Sequence, residues 1–178
     1  MNRKLILSSP LLEITISRLC QELIENQISD IDTVLLGLQP RGVFFAERLA
    51  KALELETGKT FPLGKIDATF YRDDYRRREP LAPNTTEVPF IIENKRVILV
   101  DDVLATGRMV RAALDAMNAF GRPNKVELCV LIDRIYNRDI PIMPTYVGKK
   151  VNTLATEKVL VEWKEQGHPA DKIWLITQ

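Results

Sequence analysis

Cysteine, histidine and net charge are all scarce in this 178-residue chain, and each scarcity removes a class of protein. The two cysteines, Cys20 and Cys129, lie far apart with neither a Cys-x-x-Cys pattern nor a histidine nearby. That argues against a zinc site or a redox pair and for two buried thiols. The single histidine, His168, sits in Glu165-Gln166-Gly167-His168-Pro169, a turn sequence remote from every other motif, so no general-acid role is expected of it. Twenty-five Lys and Arg balance 24 Asp and Glu, a net charge of +1. No global field therefore draws the chain to nucleic acid or an anionic membrane, and any anion site must be local. Long apolar runs are missing too. No stretch approaches the roughly 18 apolar residues of a membrane span, and near the N-terminus only Leu5, Ile6 and Leu7 run together, short of a secretory leader. The cytoplasm is the expected address.

What remains is ordinary globular material, 46% hydrophobic and 28% charged. The length suits a single domain over residues 1–178 that buries about 70% of its unfolded surface. Ser8-Ser9-Pro10 reads as a helix start, followed by Leu11, Leu12, Ile14, Leu19, Leu23 and Ile24 at helical spacing. Residues 33–38 form a short apolar strand that stops at Gln39-Pro40-Arg41-Gly42, after which Phe44, Phe45, Leu49 and Leu53 carry a helical period. An extended segment over 65–71 runs into a polar, Pro- and Thr-rich stretch through Pro89, expected to be a mobile loop. Residues 97–100 are a continuous apolar run suited to a parallel strand covered on both faces, residues 126–132 make another strand, and a helix is predicted between them from about Gly107 to Phe120. This alternation predicts an α/β fold, a central parallel sheet flanked by helices. Trp163 and Trp174 sit in apolar contexts suited to a core or a subunit interface.

The segment from Val97 to Arg108 carries the chemistry. A buried strand delivers Asp101 and Asp102 to its carboxyl end, where open parallel sheets bind ligands. Two carboxylates there suit sugar hydroxyls or a hydrated Mg²⁺. Thr106-Gly107-Arg108 then turns into a helix, whose free N–H groups and positive dipole end make a phosphate cradle. Sugar and phosphate sites thus fall side by side.

This segment resembles the signature by which type I phosphoribosyltransferases bind 5-phosphoribosyl 1-pyrophosphate (PRPP). The resemblance implies the type I phosphoribosyltransferase fold, with a small hood and a mobile loop. It implies that Asp101 and Asp102 hold the ribose hydroxyls and that Ala105, Thr106, Gly107, Arg108 and Met109 hold the 5′-phosphate. Gln39, Pro40, Arg41 and Gly42 look like the family's pyrophosphate loop, with Arg41 meeting the leaving group. Mg²⁺ is the implied cofactor, held through PRPP and water near the acidic pair rather than by direct protein ligands. Catalysis would need charge absorbed at pyrophosphate and water excluded from an oxocarbenium-like C1. Arg76, Arg77 and Arg78 could contribute charge, though such a run more commonly marks a solvated loop.

Within the family the chain is similar to uracil enzymes that also attenuate pyrimidine operons. That likeness rests on Gly42 to Leu49, Ile66 to Asp74, the PRPP segment, Asp133-Arg134 with Asn137 to Ile142, and Tyr146 to Lys149. It implies a mobile-loop base at Tyr71, Arg72, Asp73 and Asp74 and a base hood at Asp133, Arg134 and Ile135. Three positions depart from the pattern. Met109 stands where Thr is usual, and losing one hydrogen bond to a charged group costs roughly 1.5 to 3 kcal/mol, about 10- to 150-fold in affinity. Ile135, Tyr136 and Asn137 replace a Gly and a His before Arg138, and Asn152 replaces a Pro. Ala105 lacks the acid that hypoxanthine-guanine enzymes place there, which argues against 6-oxopurines.

Three readings stay open from the residues: a uracil phosphoribosyltransferase making UMP, a nucleotide-sensing RNA-binding regulator of weak or no turnover, and an enzyme for another base such as adenine. PRPP, a nucleobase, UMP and an RNA leader are the implied partners, in a homodimer or higher homo-oligomer. No membrane contact is expected.

Overall fold

A computed structural model describes residues 2–29, 31–73 and 82–177. Its centre is a five-stranded, all-parallel sheet made of β2 (Thr33–Leu38), β3 (Leu63–Ile66), β4 (Arg96–Leu104), β5 (Lys125–Ile135) and β6 (Tyr146–Asn152), in the order β3-β2-β4-β5-β6. A second sheet joins β1 (Asn2–Ser8), β8 (Lys172–Thr177) and β7 (Glu157–Glu162), in that order and antiparallel. The helices are α1 (Ser9–Glu25), α2 (Gly42–Thr57) and α3 (Arg108–Met117).

Strand alternation decides which helix covers which face. Leu35, Ile98, Val100, Cys129 and Leu131 point to one side and pack with Leu12, Leu19 and Leu23 of α1 and Phe45, Leu49 and Leu53 of α2. Val34, Leu36, Val97, Leu99, Leu128 and Val130 point to the other and meet Val110, Ala113 and Met117 of α3. Being covered on both faces is why these strands read as unbroken apolar runs. Val161, Trp163 and Ile173 of the antiparallel sheet and its flank join the α1–α2 side. Arg48 of α2 ties the two parts together. Its guanidinium bonds Asp171 at 2.8 and 2.9 Å and Glu165 at 2.7 and 2.9 Å, and lies 4.6 Å from the Trp163 ring centre.

Pro10 sits in the first turn of α1, and α2 stops where Gly58 takes the left-handed conformation and its N–H caps the Glu54 carbonyl at 2.9 Å. Both cysteines are buried, and burial pushes the Cys20 thiol up to about 11. Trp163 is buried, and Trp174 donates its ring N–H to Glu162 at 2.8 Å. His168 lies in a turn beside Gly167, itself left-handed. No helix among the described residues is long and apolar enough to cross a membrane.

The structure corrects three boundaries. The extended segment expected over 65–71 is a four-residue strand ending at Ile66, followed by a 3₁₀ turn over Thr69–Tyr71. The helix expected to reach Phe120 ends at Met117, and its last turn tightens into a 3₁₀ turn, Asn118–Phe120. The strand expected over 126–132 runs on to Ile135, so that Asp133, Arg134 and Ile135, the residues of the expected base hood, form its last three positions. Hydrogen bonding with β6 carries β5 that far, pairing Ile135 with Asn152.

Candidate active site

The site lies at the carboxyl ends of the parallel strands. Gln39, Pro40 and Arg41 after β2, Asp101, Asp102 and Val103 on β4, and Met109 on α3 line one cleft of about 270 Å³. The Gln39–Pro40 peptide is cis. The loop after β2 presses against β4 so closely that a Cβ on Gly42 would come within 2.7 Å of the Val100 carbonyl oxygen and 2.9 Å of the Asp101 Cα. Gly42 therefore brings Arg41 beside the acidic pair. Gln39 is fixed at both ends, by its N–H on the Ile66 carbonyl at 2.9 Å and its side-chain amide on the Thr85 carbonyl at 3.1 Å.

Asp101 and Asp102 are both buried. The Asp101 carboxylate accepts the N–H of Asp102 at 2.9 Å, and Asp102 accepts the N–H of Val103 at 2.8 Å. Burial pushes the Asp101 carboxyl well above the ordinary range, and the neighbouring Asp102 charge pushes it further. Burial also raises Asp102, with Arg41 opposing the rise. The second Asp102 oxygen, Oδ2, is buried without a hydrogen-bond partner. Native proteins rarely leave a buried carboxylate oxygen unpaired, so this one marks a place where a ligand hydroxyl or water completes the structure.

Beyond β4, Gly107 is left-handed with φ +85°, and a Cβ there would meet Ile140 and Ile142 at 3.0 to 3.1 Å. The Arg108 N–H bonds the Thr106 hydroxyl at 3.3 Å. The Arg108 guanidinium is committed to Asp139 at 2.8 Å and to Asp73, which raises its pKa. Arg111 donates to the Tyr71 carbonyl at 2.9 Å. The N-terminal turn of α3 thus grips the base of the polar stretch that follows residues 65–71, at Tyr71 and Asp73. Arg72 is half-buried there, while Asp74 and Arg76 to Arg78 fall outside the described residues.

Sequence reasoning assigned no role to Asp67, which secures both roots of that segment. Its carboxylate accepts the Thr69 hydroxyl at 2.7 Å and the Asn84 N–H at 3.0 Å. Its one signal was its place in the Ile66 to Asp74 stretch that carries the family likeness. At the hood end, Asp133 is buried with its carboxylate on Arg138. Arg134 spans to the second sheet, bonding the Thr153 hydroxyl at 3.0 Å and the Glu157 carbonyl at 2.7 Å. Thr153 in turn donates to Asn137 at 2.5 Å. Arg134 thus makes a seam between β5 and β7, which Asn137 joins through Thr153, while Tyr136 is 82% exposed and left-handed at φ +70°.

The phosphoribosyl transferase domain family matches residues 2–166. The chain belongs to that family. Among its relatives, a bifunctional protein PyrR of Enterococcus faecalis is 41% identical over 175 residues, 98% of this chain and 97% of the relative. Another PyrR, of Streptomyces coelicolor, is 45% identical over 162 residues, covering 90% and 83%. The chain is thus a phosphoribosyltransferase of the PyrR branch. Solved structures of the hypoxanthine phosphoribosyltransferase of Trypanosoma cruzi share the fold at TM-scores of 0.74 and 0.73, covering 97% and 98% of this chain and 90% and 96% of theirs, with 15% and 14% identity.

Proposed function

We propose that the chain transfers ribose 5-phosphate from PRPP to uracil, yielding UMP and pyrophosphate. The observation that carries this reading is the buried, unpartnered Oδ2 of Asp102 in a cleft shared by the 39–42 loop and the start of α3. In this reading Asp101 and Asp102 hold the ribose hydroxyls, Ala105 to Met109 take the 5′-phosphate, and Arg41 with its loop takes the pyrophosphate. The bond from C1 to the pyrophosphate oxygen breaks, a bond from C1 to the ring nitrogen forms, and the proton of that nitrogen passes to the departing pyrophosphate. Arg41 stabilises the departing charge, while the acidic pair faces the cation-like sugar.

Mg²⁺ fits this donor set as a companion of PRPP. Among the described residues no three His, Cys, Asp or Glu side chains gather as ligands. Asp101 and Asp102 would face its water shell, and it would neutralise diphosphate charge when bound. The bifunctional relatives support a second role for the same pocket: a bound uracil nucleotide tuning affinity for a pyrimidine-gene transcript leader. A homodimer or larger assembly is part of this proposal.

The test is Mg²⁺-dependent pyrophosphate release from PRPP with uracil, orotate, adenine, hypoxanthine and guanine in turn, native protein beside Asp102→Asn. Turnover with uracil alone, lost in the variant, is the expected result. Turnover with adenine alone reassigns the base. Silence with every base alongside measurable UMP binding sinks the catalytic reading and leaves a nucleotide sensor.

A further inference from the structure

The loop at 105–107 is held from behind by a residue to which its own motif assigns no part. Arg138 lies half-buried just past β5. Its Nη1 donates to the Ala105 carbonyl at 2.5 Å and to the Arg134 carbonyl at 3.2 Å, its Nε donates to the Ile142 carbonyl at 2.9 Å, and its Nη2 bonds the buried Asp133 carboxylate. The next two residues extend the grip, with the N–H groups of Asp139 and Ile140 on the Thr106 carbonyl at 3.0 and 3.3 Å.

A trans peptide sets its N–H opposite its C=O. With the Ala105 carbonyl turned toward Arg138, the Thr106 N–H faces the other way. With the Thr106 carbonyl turned toward 139–140, the Gly107 N–H does the same. Two consecutive amide donors are thereby oriented away from the 138–142 segment, immediately before the N-terminus of α3, the arrangement an anion needs. Ile140 and Ile142 packed over Gly107 keep the loop from rotating back.

We propose that Arg138 is a positioning residue for the phosphate subsite. It fixes the 105–106 peptide with its carbonyl inward so that the loop's amides stand ready for the 5′-phosphate, and Asp133 anchors the guanidinium that does so. This rests on the reading that loop 105–109 takes that phosphate. Four acceptors in different directions call for a guanidinium, since a lysine ammonium reaches fewer of them.

The experiment compares native protein with Arg138→Gln and Arg138→Lys, measuring binding of ribose 5-phosphate and of inorganic pyrophosphate by calorimetry together with kcat and KM for PRPP. Ribose 5-phosphate affinity and PRPP KM should worsen about 10- to 100-fold in the glutamine variant, the loss expected when charge-assisted hydrogen bonding is withdrawn from a binding loop. The lysine variant should fall between, and pyrophosphate affinity and kcat should stay near native. Unchanged ribose 5-phosphate affinity overturns the proposal, and so does an equal loss of pyrophosphate affinity, which would mean general damage. If the glutamine variant does not fold, the lysine variant carries the same comparison. Native protein that binds ribose 5-phosphate but turns over no base ends the catalytic reading while leaving this one decided by binding. Native protein that binds no ribose 5-phosphate ends both.

Discussion

The two ends of β4 bury charge in opposite ways. At the amino end Arg96 is buried against Glu127, which also accepts from Lys125 at 3.0 Å, while the remaining Arg96 nitrogens bond the Tyr146 hydroxyl at 3.0 Å and the Asn26 carbonyl at 2.9 Å. Glu127 is pushed up by burial but ends below the ordinary carboxylate range, because its bonds to Arg96 and Lys125 outweigh that burial. Toward the carboxyl end two like charges, Asp101 and Asp102, are buried side by side and one oxygen is left unpaired. One strand thus carries a satisfied network at the end that only has to be stable and an unsatisfied one at the end that meets a ligand. A buried polar group without a partner costs stability, so it persists where a bound molecule supplies the missing contact.

The largest effect should come from breaking the satisfied end. Glu127→Ala strands Arg96 without its counter-charge, and removing one member of a buried pair costs about 3 to 5 kcal/mol. Urea unfolding should show that loss, with PRPP KM in the remaining folded fraction close to native. A loss below about 1 kcal/mol, the value of an exposed pair, would mean the network is solvated and the contrast between the two ends is false.

The reverse is expected at the other end. Asp102→Asn should lower kcat/KM by about 10²- to 10³-fold, the scale for removing one preorganised polar group from a reacting centre, and should leave stability equal or higher. The pH dependence has opposite signs at the two ends. Asp101 and Asp102 have raised folded pKa values, so their contribution is full below the unfolded carboxylate pKa and is lost as pH rises through the folded value. Glu127 is lowered, so its contribution is present above the unfolded value and is lost as pH falls through the folded one. Melting curves across the acid-to-neutral range should therefore flatten on the high-pH side in Asp102→Asn. In Glu127→Gln the acid-side fall should shrink.

The same contrast explains what the sequence revealed. Strands β2, β4 and β5 were legible because they are covered on both faces, so that Thr33 to Leu38 and Val97 to Val100 carry no polar interruption before the site. Asp101, Asp102 and the Thr106-Gly107 turn were legible because their chemistry is local in the chain. The strands β1, β7 and β8 were not assigned from sequence, since each mixes charged with apolar residues, and β1 finds its partner at the far end of the chain, Asn2 pairing with Thr177. Arg138 and Asp67 were missed for the same reason. Besides partners close in the chain, each bonds a distant one that gives it its role, Ala105 at 33 positions' separation and Asn84 at 17, distances over which no spacing rule operates. Arg134, expected in the base hood, also has a bond that sequence did not show, its guanidinium closing the seam to Glu157.

Met109 offers the finest adjustment of the ligand-binding end. Its side chain is half-buried, lines the cleft beside Asp101 and Asp102, and packs on the α3 side of the core. Met109→Thr trades those contacts for a hydroxyl at the second position of α3, where it can donate to an anion at the helix N-terminus. The gain should reach about tenfold in PRPP KM, the low end for a hydrogen bond to a charged group. The lost packing should lower stability by no more than about 1 to 2 kcal/mol, because the site is half-exposed and open to water. Steady-state kinetics with calorimetric binding of ribose 5-phosphate would check both halves. If the threonine improves neither, the 5′-phosphate lies beyond reach of position 109 and depends on the backbone amides of 106 and 107, and the loop orientation set by Arg138 then governs phosphate affinity at that end of the strand.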